Sequence, residues 1–314
     1  MKRNRIIIDI TIIIFAFAIF IIWHQNSNAA QITFSNIKYY KVYLITTDKG
    51  LQYWEILNKG AADMAAAVGV NYFWEAPDVR DPERQIELIN QAVNAGADAL
   101  LVATDEPKRI SAAIEDAKAR GVKAIYVDSP AYEEAITTLS TDNYEAGAMA
   151  GQYMISTLEE KGINSGSIGI VNLTNKENTA IRERGFRETL AKDPRFKVLE
   201  TIYTKTDKPE ETQQAAERII SENPDLVGLF GTSEGTTIGV GNANKANDNK
   251  FVVVGFDKTE INLELLREGS LSVIIDQNPY SMGYLGMAEA IAAILGKDTG
   301  PNYINTGVSV VEKR

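Results

Sequence analysis

The chain has no cysteine and a single histidine, His24, and these two shortages remove much ordinary site chemistry at once. Without cysteine there is no disulfide, no thiolate nucleophile and no Cys-ligated metal. Nor is there an acylated cysteine to fix an exported chain to a membrane through lipid. His24 lies at the edge of the N-terminal segment, so the remainder of the chain has no imidazole to act as general base. Positive charge is also scarce: 32 Lys and Arg against 42 Asp and Glu leave a formal net charge of −10. Residues 1–30 carry Lys2, Arg3 and Arg5 against Asp9, so the body beyond them carries −12 and repels nucleic acid and anionic membrane surfaces. Phosphate-cradling glycine sets are missing too, because the first strand ends Thr47-Asp48-Lys49-Gly50. There is no EF-hand spacing and no His-rich ligand set, so neither a nucleotide cofactor nor a metal is expected.

One long apolar run is present. Ile6 to Trp23, behind a basic start, reaches about 27 Å as a helix, enough to span a bilayer with Trp23 at the outer interface. Two readings stand. Residues 1–24 are a retained membrane anchor, which the length of the run favours, or a signal segment cleaved after Ala29, where Ser27-Asn28-Ala29 precedes Ala30. Both place the body outside the cytoplasm.

After a polar linker, residues 25–38, strand and helix patterns alternate to the end of the chain. Strands are expected at Tyr39–Thr46, Val70–Trp74, Ala99–Ala103, Lys123–Val127, Ile136–Leu139, Ser167–Asn172, Lys197–Tyr203, Leu226–Phe230, Phe251–Gly255, Leu271–Ile275 and Thr306–Val311. Several are nearly unbroken Val/Ile/Leu runs, the mark of parallel strands covered on both faces. Asp81-Pro82 marks a helix start, and Gly96 and Gly121 mark helix ends. Two similar βαβ series, about 39–141 and 142–277, predict an α/β chain of two doubly wound lobes behind an N-terminal membrane helix.

Five strand-like runs end at or near an aspartate: Asp48, Asp105, Asp128, Asp142 and Asp257. Strand ends are where open α/β sheets bind ligands, although an Asp after a strand is commonly a helix N-cap. Together the five suit neutral polyols, whose hydroxyls an ionised carboxylate accepts in charge-assisted bonds. Tyr53-Trp54 at a helix start offers either an aromatic face for a sugar ring or a staple to the core. Arg182 offers a fork of donors for oxygens, or a surface ion pair. Gly231-Thr232-Ser233-Glu234-Gly235 matches the G-x-S-x-G of a serine hydrolase, but Ser233 has no histidine to activate it.

These residues, with Asn58-Lys59-Gly60-Ala61, Asn94-Ala95-Gly96-Ala97-Asp98-Ala99, Thr141-Asp142-Asn143, Arg182-Glu183-Arg184-Gly185-Phe186 and Val254-Gly255-Phe256-Asp257, resemble the type I periplasmic sugar-binding proteins of the ribose and xylose class over residues 39–314. The resemblance implies two Rossmann-like lobes joined by a three-strand hinge near Asp142, Gln277 and Ile304. Lobe I would be 39–141 plus 278–303, and lobe II 142–277 plus 304–314. It implies ring stacking by Tyr53 and Trp54, hydroxyl recognition by Asp128, Arg182 and Asp257, and a polar contact from Gln277, with Asp48 nearby. Ser129 stands where ribose binders carry arginine, Ser233 where they carry asparagine, and Asp207 near their second-lobe phenylalanine, which argues against ribose itself. It also implies a non-enzymatic protein that closes on a monosaccharide, a pentose such as xylose being favoured. The partner would be an ABC sugar permease or, for a membrane-anchored member, a sensor histidine kinase.

Overall fold

The computed structural model describes residues 37–313. The anchor or signal segment, the site at Ala29 and the linker up to residue 36 lie outside them. Ile37 and Lys38, read above as linker, belong to the folded body: they form a 3₁₀ turn, Ile37–Tyr39, whose isoleucine is 3% exposed in the first core. An apolar side chain of that size gains roughly 1.5–3 kcal/mol by such burial.

The first series runs β1 (Lys41–Ile45), α1 (Gln52–Val68), β2 (Asn71–Glu75), α2 (Pro82–Asn94), β3 (Ala99–Val102), α3 (Pro107–Ala119), β4 (Lys123–Val127) and β5 (Thr138–Ser140). The second opens with α4 (Asn143–Glu160), β6 (Gly166–Leu173), α5 (Glu177–Leu190), β7 (Phe196–Val198), β8 (Ile202–Thr204) and α6 (Pro209–Glu222). It continues through β9 (Leu226–Gly231), α7 (Glu234–Lys245), β10 (Val252–Phe256), α8 (Glu260–Glu268) and β11 (Val273–Asp276). The chain ends in α9 (Pro279–Ile294), β12 (Tyr303–Asn305) and β13 (Ser309–Glu312).

These strands build two sheets of the same winding, β2-β1-β3-β4-β5-β12 and β7-β6-β9-β10-β11-β13, with β8 also on β6. All neighbours are parallel except β11 and β13. Each sheet carries helices on both faces, as the strand sequences require. In β3 and its extension, Ala99, Leu101 and Ala103 face one apolar cluster while Leu100 and Val102 face the other. In β10, Val252, Val254 and Phe256 face one side and Val253 the opposite one. The strand order reverses at β1/β3 and at β6/β9, the kind of switch point beside which open α/β sheets bind ligands.

Two strand assignments change. The single strand expected at Lys197–Tyr203 is two, β7 on Gly166–Ile168 and β8 on Val171–Leu173. Between them, Leu199 N still donates to Ile168 O of β6, but Arg187 takes Leu199 O and Thr201 Oγ1, and the ladder is interrupted there. The last strand, expected from Thr306, begins at Ser309, and β12 precedes it on the other sheet.

The chain passes between sheets three times, after β5 near Asp142, after β11 at Gln277, and after β12 at Thr306–Val308. Ile304 is therefore not a crossing point. It pairs with Leu139 within the first sheet and packs on the first core, so the final boundary moves two residues onward. Helix α9 likewise returns to the first sheet, where Met282, Met287 and Ala290 join the core.

Candidate functional site

Of the ten residues singled out for ligand contact, nine line one small cavity between the lobes: Asp48, Tyr53, Trp54, Asp128, Arg182, Asp207, Ser233, Asp257 and Gln277. Its volume is about 60 Å³. The tenth, Ser129, turns away. Its hydroxyl donates to Thr104 O at 2.9 Å, and the residue lines a neighbouring groove instead. The reason is the backbone of the residue before it. Asp128 ends β4 in the left-handed region with φ 62°, which aims its own carboxylate at the cavity and the next side chain away from it. Asp257 ends the corresponding strand of the second sheet, β10, in the same conformation with φ 73°. Aspartate is among the few side chains that tolerate this turn.

The other two strand-end acids do not reach the cavity. Asp142 caps α4, accepting from Glu145 N at 3.0 Å. Asp105 is buried against Arg80, with Nε donating at 2.7 Å, and faces Lys176 of the opposite lobe at 3.7 Å. Asp48 is used locally as well as lining the wall, accepting from Thr47 Oγ1, Gly50 N and Trp54 Nε1.

On the first lobe, Tyr53 and Trp54 open α1 with their rings edge to face at 4.8 Å, each 5% exposed. They staple α1 to the first core and also line the cavity. Tyr53 Oη donates to Asp128 Oδ1 at 2.9 Å. Burial, reinforced by Asp128, raises this phenol well above its usual range, so it remains a donor.

On the second lobe a relay of polar groups crosses the cavity floor. Gln277 Nε2 donates to Asp257 Oδ1 at 2.7 Å, while Arg182 Nη2 donates to Gln277 Oε1. Arg182 is fixed by further bonds from Nε to Asn143 Oδ1 and from Nη1 to Thr232 O, and its guanidinium lies 4.4 Å from the Phe256 ring centre. Burial pushes the Asp257 carboxyl up to about 7 against the opposing pull of Arg182. Asp207 accepts from Ser233 Oγ at 2.9 Å and is pushed up to about 6, again chiefly by burial. Ser233 itself is the N-cap of α7 in a capping box with Thr236. Its hydroxyl is bound to an acid and a threonine, which is helix-start chemistry rather than nucleophile chemistry.

Other wall residues were not anticipated: Arg80, Lys176, Asn178 and Glu234. Asn178 donates across the cleft to Asp128 O at 3.2 Å and Oδ2 at 3.3 Å. It stands four residues before Arg182 on α5, and that spacing on one helix face was the available signal. Burial, together with Arg80 nearby, lowers the Lys176 ammonium from its ordinary value. Glu234, inside the G-x-S-x-G match, accepts from Tyr53 N at 2.8 Å and Gln52 N at 3.2 Å on the other lobe. A cavity closed by two lobes and lined by acidic, amide and cationic side chains beside two aromatic rings can offer a small hydroxyl-rich molecule many directed bonds.

Residues 42–298 match the family model described as periplasmic binding protein domain. The chain belongs to this family. Membership makes it an extracytoplasmic solute-binding protein and not an enzyme. It is 25% identical over 218 residues to the ribose import binding protein of Bacillus subtilis, covering 69% of this chain and 70% of that one. The xylose/arabinose-binding protein of Sulfolobus acidocaldarius is 22% identical over 273 residues, covering 78% and 66%. Among solved structures, an ABC transporter solute binding protein from Burkholderia graminis in complex with D-arabinose superposes with a TM-score of 0.82. Its identity is 28%, and the match spans 88% of this chain and 96% of that one. Among the described residues no helix is long and apolar enough to cross a membrane.

Proposed function

We propose that this periplasmic binding protein takes a monosaccharide, a pentose being favoured, and closes its two lobes on it. The observation that carries the reading is the convergence of Asp128, Arg182, Asp257 and Gln277 from three strand ends and a helix on one buried cavity, beside the paired rings of Tyr53 and Trp54. The relatives named for ribose, xylose and arabinose, and the solved relative holding D-arabinose, support a five-carbon sugar. Ligand-driven closure follows from the placement of the walls: only the closed state lets both lobes contact one small molecule, so differential affinity shifts the hinge.

Delivery to an ABC permease is one output, supported by the relative named for ribose import and the solved ABC transporter solute binding protein. A second output, to a membrane histidine kinase, is favoured by the absence of an anchoring cysteine together with the 18-residue apolar run, Ile6 to Trp23. A retained helix holds the sensor beside a membrane partner, whereas cleavage after Ala29 frees a soluble transport component.

A thermal-shift screen of the full chain against pentoses, hexoses and polyols tests the ligand class. A sugar at a hundred times its Kd adds about 2.7 kcal/mol to the folded state, which moves the midpoint by several degrees. The expected result is a rise with one or two pentoses. A flat response across the panel contradicts the sugar reading.

A further inference from the structure

The opening turn of α1 lacks a cap of its own. Its N-cap residue, Leu51, has no side chain that accepts a hydrogen bond, yet at the lobe boundary the amide of Tyr53 is buried and that of Gln52 half-buried. The side-chain carboxyl of Glu234, at the first position of α7 on the other lobe, takes both through its two oxygens: Tyr53 N donates to Oε2 at 2.8 Å and Gln52 N to Oε1 at 3.2 Å. Gln52 then returns the contact. Its Oε1 accepts from Glu260 N, the first amide of α8 on the second lobe, at 2.6 Å. Each lobe thus supplies an acceptor for a helix-start amide of the other, among the described residues the only side-chain acceptor at the start of α1 and an addition to the Thr259 cap at the exposed start of α8.

We infer that Glu234 and Gln52 form a reciprocal cross-lobe clasp that sets the balance between the open and closed states, and through it the affinity for ligand. This rests on the reading of the chain as a protein that closes on its ligand. The bonds join residues of opposite lobes, 181 to 208 positions apart in sequence, so hinge opening breaks all three together. Closure restores them and satisfies three helix-start amides, which is favourable in a partly dry boundary. Both are positioning residues. Glu234 sets the height of Tyr53, whose hydroxyl holds Asp128, while Gln52 is absent from the cavity wall. The clasp also gives the G-x-S-x-G match a role: Ser233 caps α7 so that the next side chain reaches across the cleft.

The apparent affinity of a ligand is its intrinsic affinity scaled by the fraction of protein able to hold it, so loosening a clasp weakens binding without touching a ligand contact. The absence of native cysteine makes closure directly measurable. Spin labels on Asp78→Cys and Lys208→Cys, exposed residues facing each other across the cleft mouth, report the interlobe distance in the full chain by pulsed electron resonance. D-xylose, D-ribose and D-arabinose serve as probes. Glu234→Ala is expected to lower the closed fraction and raise the sugar concentration needed for closure about tenfold, and Gln52→Ala about threefold. Loss in Gln52→Ala supports the clasp, because that residue reaches no cavity ligand. Identical distance distributions and midpoints in parent and variants, with and without sugar, overturn it. If Glu234→Ala fails to fold, Gln52→Ala decides by the same measure. If no sugar closes the parent, the sugar reading fails separately, and an unchanged distribution in the ligand-free variants still overturns the clasp.

Discussion

Arg182 is gripped from every side: Asn143, Thr232 O and Gln277 hold its nitrogens and Phe256 underlies its plane. A side chain so fixed loses little freedom when it meets a ligand, which is how a guanidinium contributes most to recognition. Arg182→Ala is therefore expected to weaken sugar binding by about 2–4 kcal/mol, because ligand oxygens and Thr232 O are left unpaired. Titration calorimetry of parent and variant measures this, and equal affinities contradict it. Glu234 adds a pH dependence. Burial, with Asp257 and Asp207 nearby, pushes its carboxyl up to about 8 despite the amides of Tyr53 and Gln52 that favour the ionised form. Opening the cleft returns it toward the ordinary value near 4. The closed state therefore holds the extra proton, and this contribution to closure is present at low pH and lost as pH rises through about 8. Affinity measured from pH 5 to 8.5 should fall with pH, and Glu234→Ala should lessen that fall most at the alkaline end, Asp257 and Asp207 supplying the rest. An affinity that rises over this range in the parent contradicts the assignment. The strand-end acids could be read from sequence because Asp tolerates the left-handed turn that ends β4 and β10. Glu234 could not, because its partners are amides of the other lobe, which no local pattern reveals.

At the scale of elements, two helix pairs meet through glycines. A Cβ on Gly60 would stand 2.0 Å from Tyr280 O, and one on Gly283 would stand 1.9 Å from Leu57 O, so α1 and α9 touch backbone to backbone. The second lobe repeats the device: Gly147 approaches Arg182 O to 2.0 Å and Gly185 approaches Tyr144 O to 2.2 Å, joining α4 and α5. This second crossing positions the site, since α5 carries Asn178 and Arg182. Gly147→Ala must push α5 outward, at a cost of about 1–3 kcal/mol in stability, and should weaken ligand binding as well. Gly283→Ala should destabilise the fold to a similar degree, with less effect on Arg182. Thermal melts and titrations of the two variants separate these outcomes, and a Gly147→Ala protein with parental stability contradicts the close-packing argument. The βαβ rhythm and the markers Asp81-Pro82, Gly96 and Gly121 were legible because they report local backbone chemistry: Asp81 accepts from Glu83 N and Arg84 N, and both glycines have positive φ. The break between β7 and β8 was not legible, because it depends on Arg187 reaching in from a helix. Nor was the pairing of Ile304 with Leu139, which depends on where the chain returns.

For the whole molecule, the two sheets repeat one topology and present their switch points to a shared cleft, so closure brings the site together from both sides. Beyond Glu234 and Gln52, Asn178 reaches Asp128 and Lys176 faces Asp105 across the same boundary. For the anchored reading, intact-mass analysis of the exported protein should return the uncut chain, and a chain beginning at Ala30 would assign it to soluble transport. The most direct test of the central claim is titration calorimetry of the full chain with D-xylose, D-ribose, D-arabinose and a set of hexoses. The account predicts micromolar or tighter binding of at least one pentose, at one site per chain. Binding no tighter than millimolar across the whole set would contradict it.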